Sequence, residues 1–261
     1  MSLIEQEILN INDEILKGFT DPILTKDLSQ FISSGSKRIR SIVAILYLKM
    51  QGIQPTNLEY KILAAGEIIH NASLLHDDVI DEADLRRGKS TIGKRFSPKI
   101  SILAGDYLLS YAIEKILEIN KPEILNLFKD CVRDMCLSEF SQYFLRENVP
   151  SKEKYISICE GKTAKLFSTI LKSCARLNNL DEETAEIFGK TFGTYFQLKN
   201  DLLKVSIEQD KVNGIYTLKD ILGIEKTKNL LDNYIEKMNE ILSVFPDNIY
   251  KEELRDLLKL L

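Results

Sequence analysis

Between His70 and Asp81 the chain reads His-Asn-Ala-Ser-Leu-Leu-His-Asp-Asp-Val-Ile-Asp, and Asp84-Leu85-Arg86-Arg87-Gly88 follows. Wound as a helix, this stretch sets His70, Ser73, Asp77 and Asp81 at steps of three, four and four, which is a single face. That face carries an imidazole, a small side chain and two carboxylates one turn apart. Two unit charges about 4 Å apart repel by roughly 4 kcal/mol at an effective dielectric of about 20. Such a pair takes up a proton or binds a cation. Carboxylate oxygens suit hard cations, and Mg²⁺ in particular combines one or two carboxylates with substrate phosphates and retained waters. Arg86 and Arg87 add forked donors for phosphate oxygens. The chemistry implied is the handling of a polyphosphate with Mg²⁺. The competing reading is a solvated acidic helix end followed by a basic turn. Against it stands the apolar stretch Ile62 to Leu75, which points the helix inward just before the acids. The run lacks the glycine and the closing glutamate of a calcium-binding EF-hand loop.

The elements that must hold this face are helical. The pattern predicts helices at 3–17, 21–33, 37–51, 56–82, 99–118, 122–145, 151–177, 181–205, 224–242 and 248–260. Caps mark several starts: Thr56 before Asn57-Leu58-Glu59, Ser151 before Lys152-Glu153, and Asp181 before Glu182-Glu183. Breaks fall at Gly52 to Pro55, Gly88 to Pro98, Asn148 to Pro150 and Pro246 to Asn248. No run alternates as a strand does, and no linker or repeat divides the chain. The expectation is one all-α domain, a helical bundle over residues 1–261.

A hydrophobic fraction of 44% supports a substantial core, and a net charge of −4 argues against nucleic acid as a partner. Cys131, Cys136, Cys159 and Cys174 show neither C-x-x-C nor zinc spacing and read as reduced cysteines of a cytoplasmic protein. The opening residues, Met1 to Glu7, lack the basic start and apolar run of a signal peptide. The longest apolar run, Ile42 to Leu48, is far too short for a transmembrane segment.

Taken in order, the motifs resemble those of the trans-isoprenyl diphosphate synthases, the polyprenyl synthetase family, over nearly the whole chain. Gly35-Ser36-Lys37-Arg38-Ile39-Arg40 is similar to the family's G-G-K-R-x-R segment, and His70 to Gly88 to its first aspartate-rich region with trailing Arg-Arg-Gly. Leu103-Ala104-Gly105-Asp106 resembles its L-x-G-D segment, and Gly161-Lys162-Thr163-Ala164 its K-T-A segment. Phe196 to Lys204 stands where the family has F-Q-x-x-D-D-x-x-D.

The resemblance implies an all-α bundle around a central cavity, with two aspartate-rich regions facing each other across it. It implies an allylic prenyl diphosphate bound through Mg²⁺, and isopentenyl diphosphate at a neighbouring basic site. Loss of diphosphate leaves an allylic cation that the double bond of isopentenyl diphosphate attacks. By resemblance, Asp77 and Asp81 hold Mg²⁺, with Asn200 and Asp201 as ligands from the second region. Arg86 and Lys162 contact the allylic diphosphate, and Gln197 lies near the cation. Lys37, Arg40, His70 and Arg87 belong to the isopentenyl diphosphate site, with Lys37 and Arg40 on one helix face. Asp78, about 100° round from Asp77, is given a structural role. Ala72 and Ser73 occupy the places where bulky residues stop chain growth early, so a long product is expected; close helix packing is the other reading of these small residues. Homodimerisation is also a family expectation.

The chain departs from the pattern in the second aspartate-rich region, where Asn200, Asp201 and Lys204 replace three aspartates. Ile215 stands for a common lysine, Ser36 and Ser41 for a glycine and a proline, and a deletion is expected between about Leu218 and Gly223. Two readings stay open: an active synthase with a relaxed second metal site, or a weakly active or inactive subunit of a heteromer with a complete homologue. A terpene cyclase would have no need of Lys37, Arg40 and His70 together.

Overall fold

The computed structural model describes residues 2–19, 22–33, 36–203, 214 and 216–260, which are mostly helical. Gly35, Lys204 and Ile215, all singled out above, lie outside the described residues. A 3₁₀ turn, Ser2–Ile4, leads into α1 (Glu5–Leu16), α2 (Pro22–Ser33), α3 (Ile39–Lys49) and α4 (Asn57–Ile80). A two-stranded hairpin, β1 (Leu85–Arg86) and β2 (Lys89–Ser90), is followed by α5 (Ile92–Arg95), α6 (Pro98–Leu117) and α7 (Pro122–Phe144). Then come α8 (Lys152–Cys159), a π-helical turn (Glu160–Ala164), α9 (Lys165–Leu177) and α10 (Glu182–Leu203). After the undescribed stretch, α11 (Leu218–Leu222), α12 (Ile224–Ser243) and α13 (Ile249–Leu260) close the chain, with α11 filling the short interval of the expected deletion. Among the described residues no helix is long and apolar enough to cross a membrane.

The chain forms two compact units, Met1–Ile45 with Gln54–Leu125 and Leu46–Ile53 with Asn126–Leu261. In the first, α4 packs on α6 and α1. A capping box starts α4: the Glu59 carboxylate accepts from the Thr56 N–H at 2.7 Å and from its hydroxyl at 2.5 Å, and Thr56 Oγ1 accepts from the Leu58 N–H at 3.3 Å. Ile62 to Ile69 are then buried without interruption, so the helix is committed to the core for more than two turns. Beyond Ile69 burial becomes one-sided: Asn71, Ala72, Leu75 and Asp78 stay inside, while His70, Ser73, Asp77 and Asp81 form a half-buried stripe. The L-x-G-D segment serves this packing. A methyl group on Gly105 would sit 2.2 Å from His76 Nε2, so the missing side chain is the space His76 occupies. Asp106 Oδ1 then meets His76 Nε2 at 3.3 Å.

In the second unit, α10 packs on α9 and on α12. Phe167, Phe188, Phe192 and Tyr195 are wholly buried along these contacts. A Cβ at Gly193 would fall 2.5 Å from the Ala164 Cα, so α10 meets the π-helical turn backbone to backbone.

The helix α11 was not expected, and two further features differ from the sequence expectation here. The predicted helix over 151–177 contains the π turn, and the predicted break from Gly88 contains half of a hairpin and α5. The hairpin pairs Leu85 with Ser90 and Arg86 with Lys89, and its two central residues, Arg87 and Gly88, have φ of 52° and 75°. Positive φ at both is the signature of a type I′ turn, whose twist suits a two-residue hairpin. Thr91 ties the base of the loop, donating to the Ala83 carbonyl at 2.8 Å and capping α5 through the Lys94 N–H at 3.1 Å.

Candidate diphosphate and cation sites

The acids come first. Asp77 lies in the last turn of α4 and Asp81 is its C-cap residue, with the Asp81 N–H donating to the Asp77 carbonyl at 2.8 Å. A helix C-terminus carries roughly half a negative charge, so acids in the last turn are disfavoured by about 0.3–1 kcal/mol each. Asp77, Asp78 and Asp81 all crowd there. Asp78 is accounted for: its side chain is buried, and Oδ1 accepts from Arg86 Nε at 2.6 Å. Burial pushes the Asp78 carboxyl above its usual range, Arg86 pulls it down, and Asp81 adds to the rise. Asp77 and Asp81 keep contact with solvent on the half-buried stripe. Two oxygen donors on a negative helix end fit the way Mg²⁺ is held, with few carboxylates and the rest of its shell from phosphate and water. Among the described residues no group of three or more His, Cys, Asp or Glu forms a complete protein cage for a metal.

The basic side chains gather in the same unit. Burial first, then the charges of Arg40, Arg87, Arg86 and Arg38, hold the His70 imidazole well below its ordinary value. Arg87 is itself lowered by burial and then by Arg86 and Arg38, with Glu67 opposing. Four guanidinium groups thus act on one neutral imidazole, and two of them, Arg38 and Arg86, are paired with Glu67 and Asp78. Two of these arginines hold backbone conformations that L-residues avoid: φ is 50° at Arg38 and 52° at Arg87.

That conformation corrects the expectation for Lys37. The helix predicted from residue 37 begins at Ile39, because Arg38 turns the chain left-handed just before it. Lys37 therefore stands exposed ahead of α3 and shares no helix face with Arg40, which is buried within it.

Sequence reasoning missed Arg38 as a member of the cluster, and missed Glu67 altogether. Glu67 is buried in α4; it accepts from the Ser41 hydroxyl at 2.9 Å, from the Ser41 N–H at 3.4 Å and from Arg38 Nη1 at 3.5 Å. Arg38 Nε also donates to Asn12 Oδ1 at 3.0 Å. Ser41 stands where a proline was expected, and a proline nitrogen has no hydrogen to donate. The available signal was an acid in the middle of an apolar run, Ala65-Gly66-Glu67-Ile68-Ile69.

The second unit brings together a different set. Lys162 and Thr163 lie in the π-helical turn, a helix irregularity often found at functional positions. Lys162 pairs with Glu139 of α7. Thr163 donates to Gln197 Oε1 at 2.9 Å, and Gln197 Nε2 donates to both oxygens of Asp201 at 3.0 Å. Tyr155 donates to Asp201 Oδ2 at 2.5 Å. Asp201 is buried and Asn200 half-buried. The residues named for chain length differ in setting: Ala72 is fully buried, and Ser73 is half-buried with its hydroxyl on the His70 carbonyl at 2.9 Å.

A neutral His70 sets a pH dependence. With its pKa depressed in the folded chain, the unfolded chain takes up the proton first. Its contribution to stability is full above the ordinary value of about 6.5 and is lost as pH falls below it, by up to about 1.4 kcal/mol per pH unit. Urea unfolding of His70→Asn between pH 7 and pH 5 should show a flatter loss than the unaltered chain. Identical slopes would remove His70 from this account.

Comparisons with known proteins agree with this architecture. The pattern of the Polyprenyl synthetase family matches residues 21–243. The chain is 32% identical to octaprenyl diphosphate synthase of Escherichia coli over 220 residues, 80% of this chain and 67% of that protein. It is 29% identical to chloroplastic solanesyl diphosphate synthase 1 of Arabidopsis thaliana over 248 residues, 87% of this chain and 61% of that one. It thus spans about two thirds of the length of these relatives. The crystal structure of heptaprenyl diphosphate synthase from Staphylococcus aureus superposes with a TM-score of 0.91 at 26% identity, covering 98% of this chain and 96% of that chain. The fold is accordingly the all-α isoprenoid synthase fold.

Proposed function

The chain belongs to the polyprenyl synthetase family, and on that premise we propose that it is a Mg²⁺-dependent trans-polyprenyl diphosphate synthase acting as one polyprenyl synthetase domain. It joins isopentenyl diphosphate head to tail onto an allylic prenyl diphosphate and gives a medium- or long-chain all-trans product. The observation that carries this reading is a pairing within one unit. Two acids crowd the negative end of α4, and arginines act on a neutral His70 about two to three turns away. The first calls for a cation and the second for an anion.

Asp77 and Asp81 would hold Mg²⁺, which when bound stabilises negative charge developing on a leaving diphosphate. Arg86 and Lys162 are assigned to the allylic diphosphate, as forked and single-point donors respectively. Arg87, Arg40, His70 and Lys37 are assigned to isopentenyl diphosphate. A neutral His70 donates one ring N–H without adding to the repulsion among the arginines. The allylic C–O bond breaks with its electron pair going to diphosphate, the double bond of isopentenyl diphosphate attacks the cation, and a proton is lost. Gln197 is assigned to a place near the allylic cation, and Asn200 to the second metal region as an uncharged oxygen ligand. Leu103, Ile113 and Leu117, exposed on α6, support self-association as a dimer.

The product is read as long because the Asp77 stripe carries only Ser73 one turn below the acids. Ser73→Phe puts a ring there and should shorten the main product by at least one five-carbon unit, seen by chromatography of the dephosphorylated prenols. An unaltered distribution would sink this assignment.

One observation favours a second reading. Asn200 brings no charge, and both oxygens of Asp201 already accept bonds from the protein. A synthase so altered fits a weakly active or inactive subunit of a heteromer. Incubation with Mg²⁺, farnesyl diphosphate and labelled isopentenyl diphosphate separates the two. Turnover by the chain alone supports a self-sufficient enzyme; turnover only with an added homologue supports the heteromer, and none in either case defeats the proposal.

A further inference from the structure

We propose that Tyr155 is a positioning residue for the allylic diphosphate, acting through Asp201, Gln197 and Thr163 on the π-helical turn that carries Lys162. This rests on the role given to Lys162 above. The turn is an unusual thing for a helix to hold, because i→i+5 bonding inserts an extra residue and makes poorer backbone hydrogen bonds. It persists where its surroundings over-determine it.

Four contacts do so here. Gly193 lets α10 come against Ala164, and Lys165 Nζ meets Asp134 Oδ2 of α7 at 3.0 Å. Lys162 meets Glu139. The fourth is the chain of bonds that begins at Tyr155. Its hydroxyl donates at 2.5 Å to Asp201 Oδ2, which faces the Gln197 amide nitrogen; the Gln197 carbonyl then accepts from Thr163. The direction is fixed end to end. Asp201 only accepts, so Gln197 must turn its NH₂ to it and its oxygen to Thr163. Tyr155, Thr163 and Asp201 are each less than a tenth exposed. Asp201, which the sequence pattern assigned to a metal, is thus the anchor of a bond chain that ends one residue from Lys162.

The test uses the full chain and the variants Tyr155→Phe and Thr163→Val. Calorimetric titration with farnesyl thiolodiphosphate, an allylic analogue that ionises slowly, is run in the presence of Mg²⁺. KM is then measured for each substrate. Either variant should raise the analogue Kd and the KM for farnesyl diphosphate about tenfold, with KM for isopentenyl diphosphate unchanged within about twofold. The double variant should be no worse than about threefold beyond either single one, because both cut the same chain. An unmoved analogue Kd, a fully additive double variant, or equal rises in both KM values with a lowered Tm would each overturn the proposal. Thr163→Val leaves the Tyr155–Asp201 bond intact and carries the test alone should Tyr155→Phe fail to fold. An unaltered chain that binds the analogue yet makes no product defeats the condensation reading and leaves this one standing. One that does not bind the analogue defeats both.

Discussion

Asp77→Asn and Asp81→Asn each lower kcat/KM by about 10²–10³-fold, and neither lowers thermal stability. The first half follows from the role proposed for the acids: a preorganised charge that acts on a developing diphosphate is worth several kcal/mol in the transition state. The second half follows from their place. Both acids sit at the negative end of α4, one turn apart. Neutralising either relieves repulsion between them and with the helix end, by about 0.3–1 kcal/mol. For a chain of this size that corresponds to a Tm unchanged or raised by about 1–4 °C. Asparagine keeps the shape and an oxygen, so lost packing is no explanation for lost rate. Scanning calorimetry beside steady-state kinetics checks both halves. Variants that lose activity and Tm together would make these acids structural.

Arg86→Ala costs about 3 kcal/mol of folding stability, more than Asp78→Ala, and the double variant recovers most of the loss. The asymmetry comes from unequal burial. The Asp78 side chain is 1% exposed and that of Arg86 27%. Removing Arg86 strands an ionised acid whose other oxygen, Oδ2, is already buried without a hydrogen bond. Removing one member of a buried pair costs about 3–5 kcal/mol, and the lower end applies because Arg86 reaches solvent. Removing Asp78 instead leaves a guanidinium free to swing into water. The pH dependence has a definite sign. The Asp78 carboxyl is already raised in the folded chain, and losing Arg86 raises it further. A raised acid contributes stability at low pH and loses it as pH rises through the folded value. The Arg86→Ala deficit therefore shrinks between pH 7 and pH 5 in urea titrations. A deficit that grew on acidification would contradict this account.

Helix positions were legible because their causes are local. Thr56 and Glu59 announce the start of α4, and the apolar run from Ile62 announces its burial. The one-sided stripe from His70 to Asp81 follows from helical spacing alone. The hairpin was not legible because strands of two residues are too short to alternate. Arg87-Gly88 was its only trace, an X-Gly pair able to take positive φ. Nor does any residue type signal a π turn; Cys159 to Lys165 reads as ordinary helix. In the basic cluster, Arg40, His70, Arg86 and Arg87 were visible by type. Arg38 was visible only as one member of the segment from Gly35 to Arg40, and its left-handed backbone accompanies tertiary contacts to Glu67 and Asn12 that no local spacing reveals. Tyr155 and Asp201 meet across 46 positions of sequence, a distance over which periodicity carries no information.

The extra residue between Glu160 and Ala164 works like a shim in a drive shaft. Deleting one residue there would let the turn close with i→i+4 bonds as ordinary helix, and the flanking segments would keep nearly their facing, because the widened turn had already absorbed the extra residue. What would go is the widening itself, and with it the seats of Lys162 against Glu139 and of Thr163 against Gln197. A one-residue deletion at this point is therefore expected to spare the bundle and to remove the local shape that holds these two side chains.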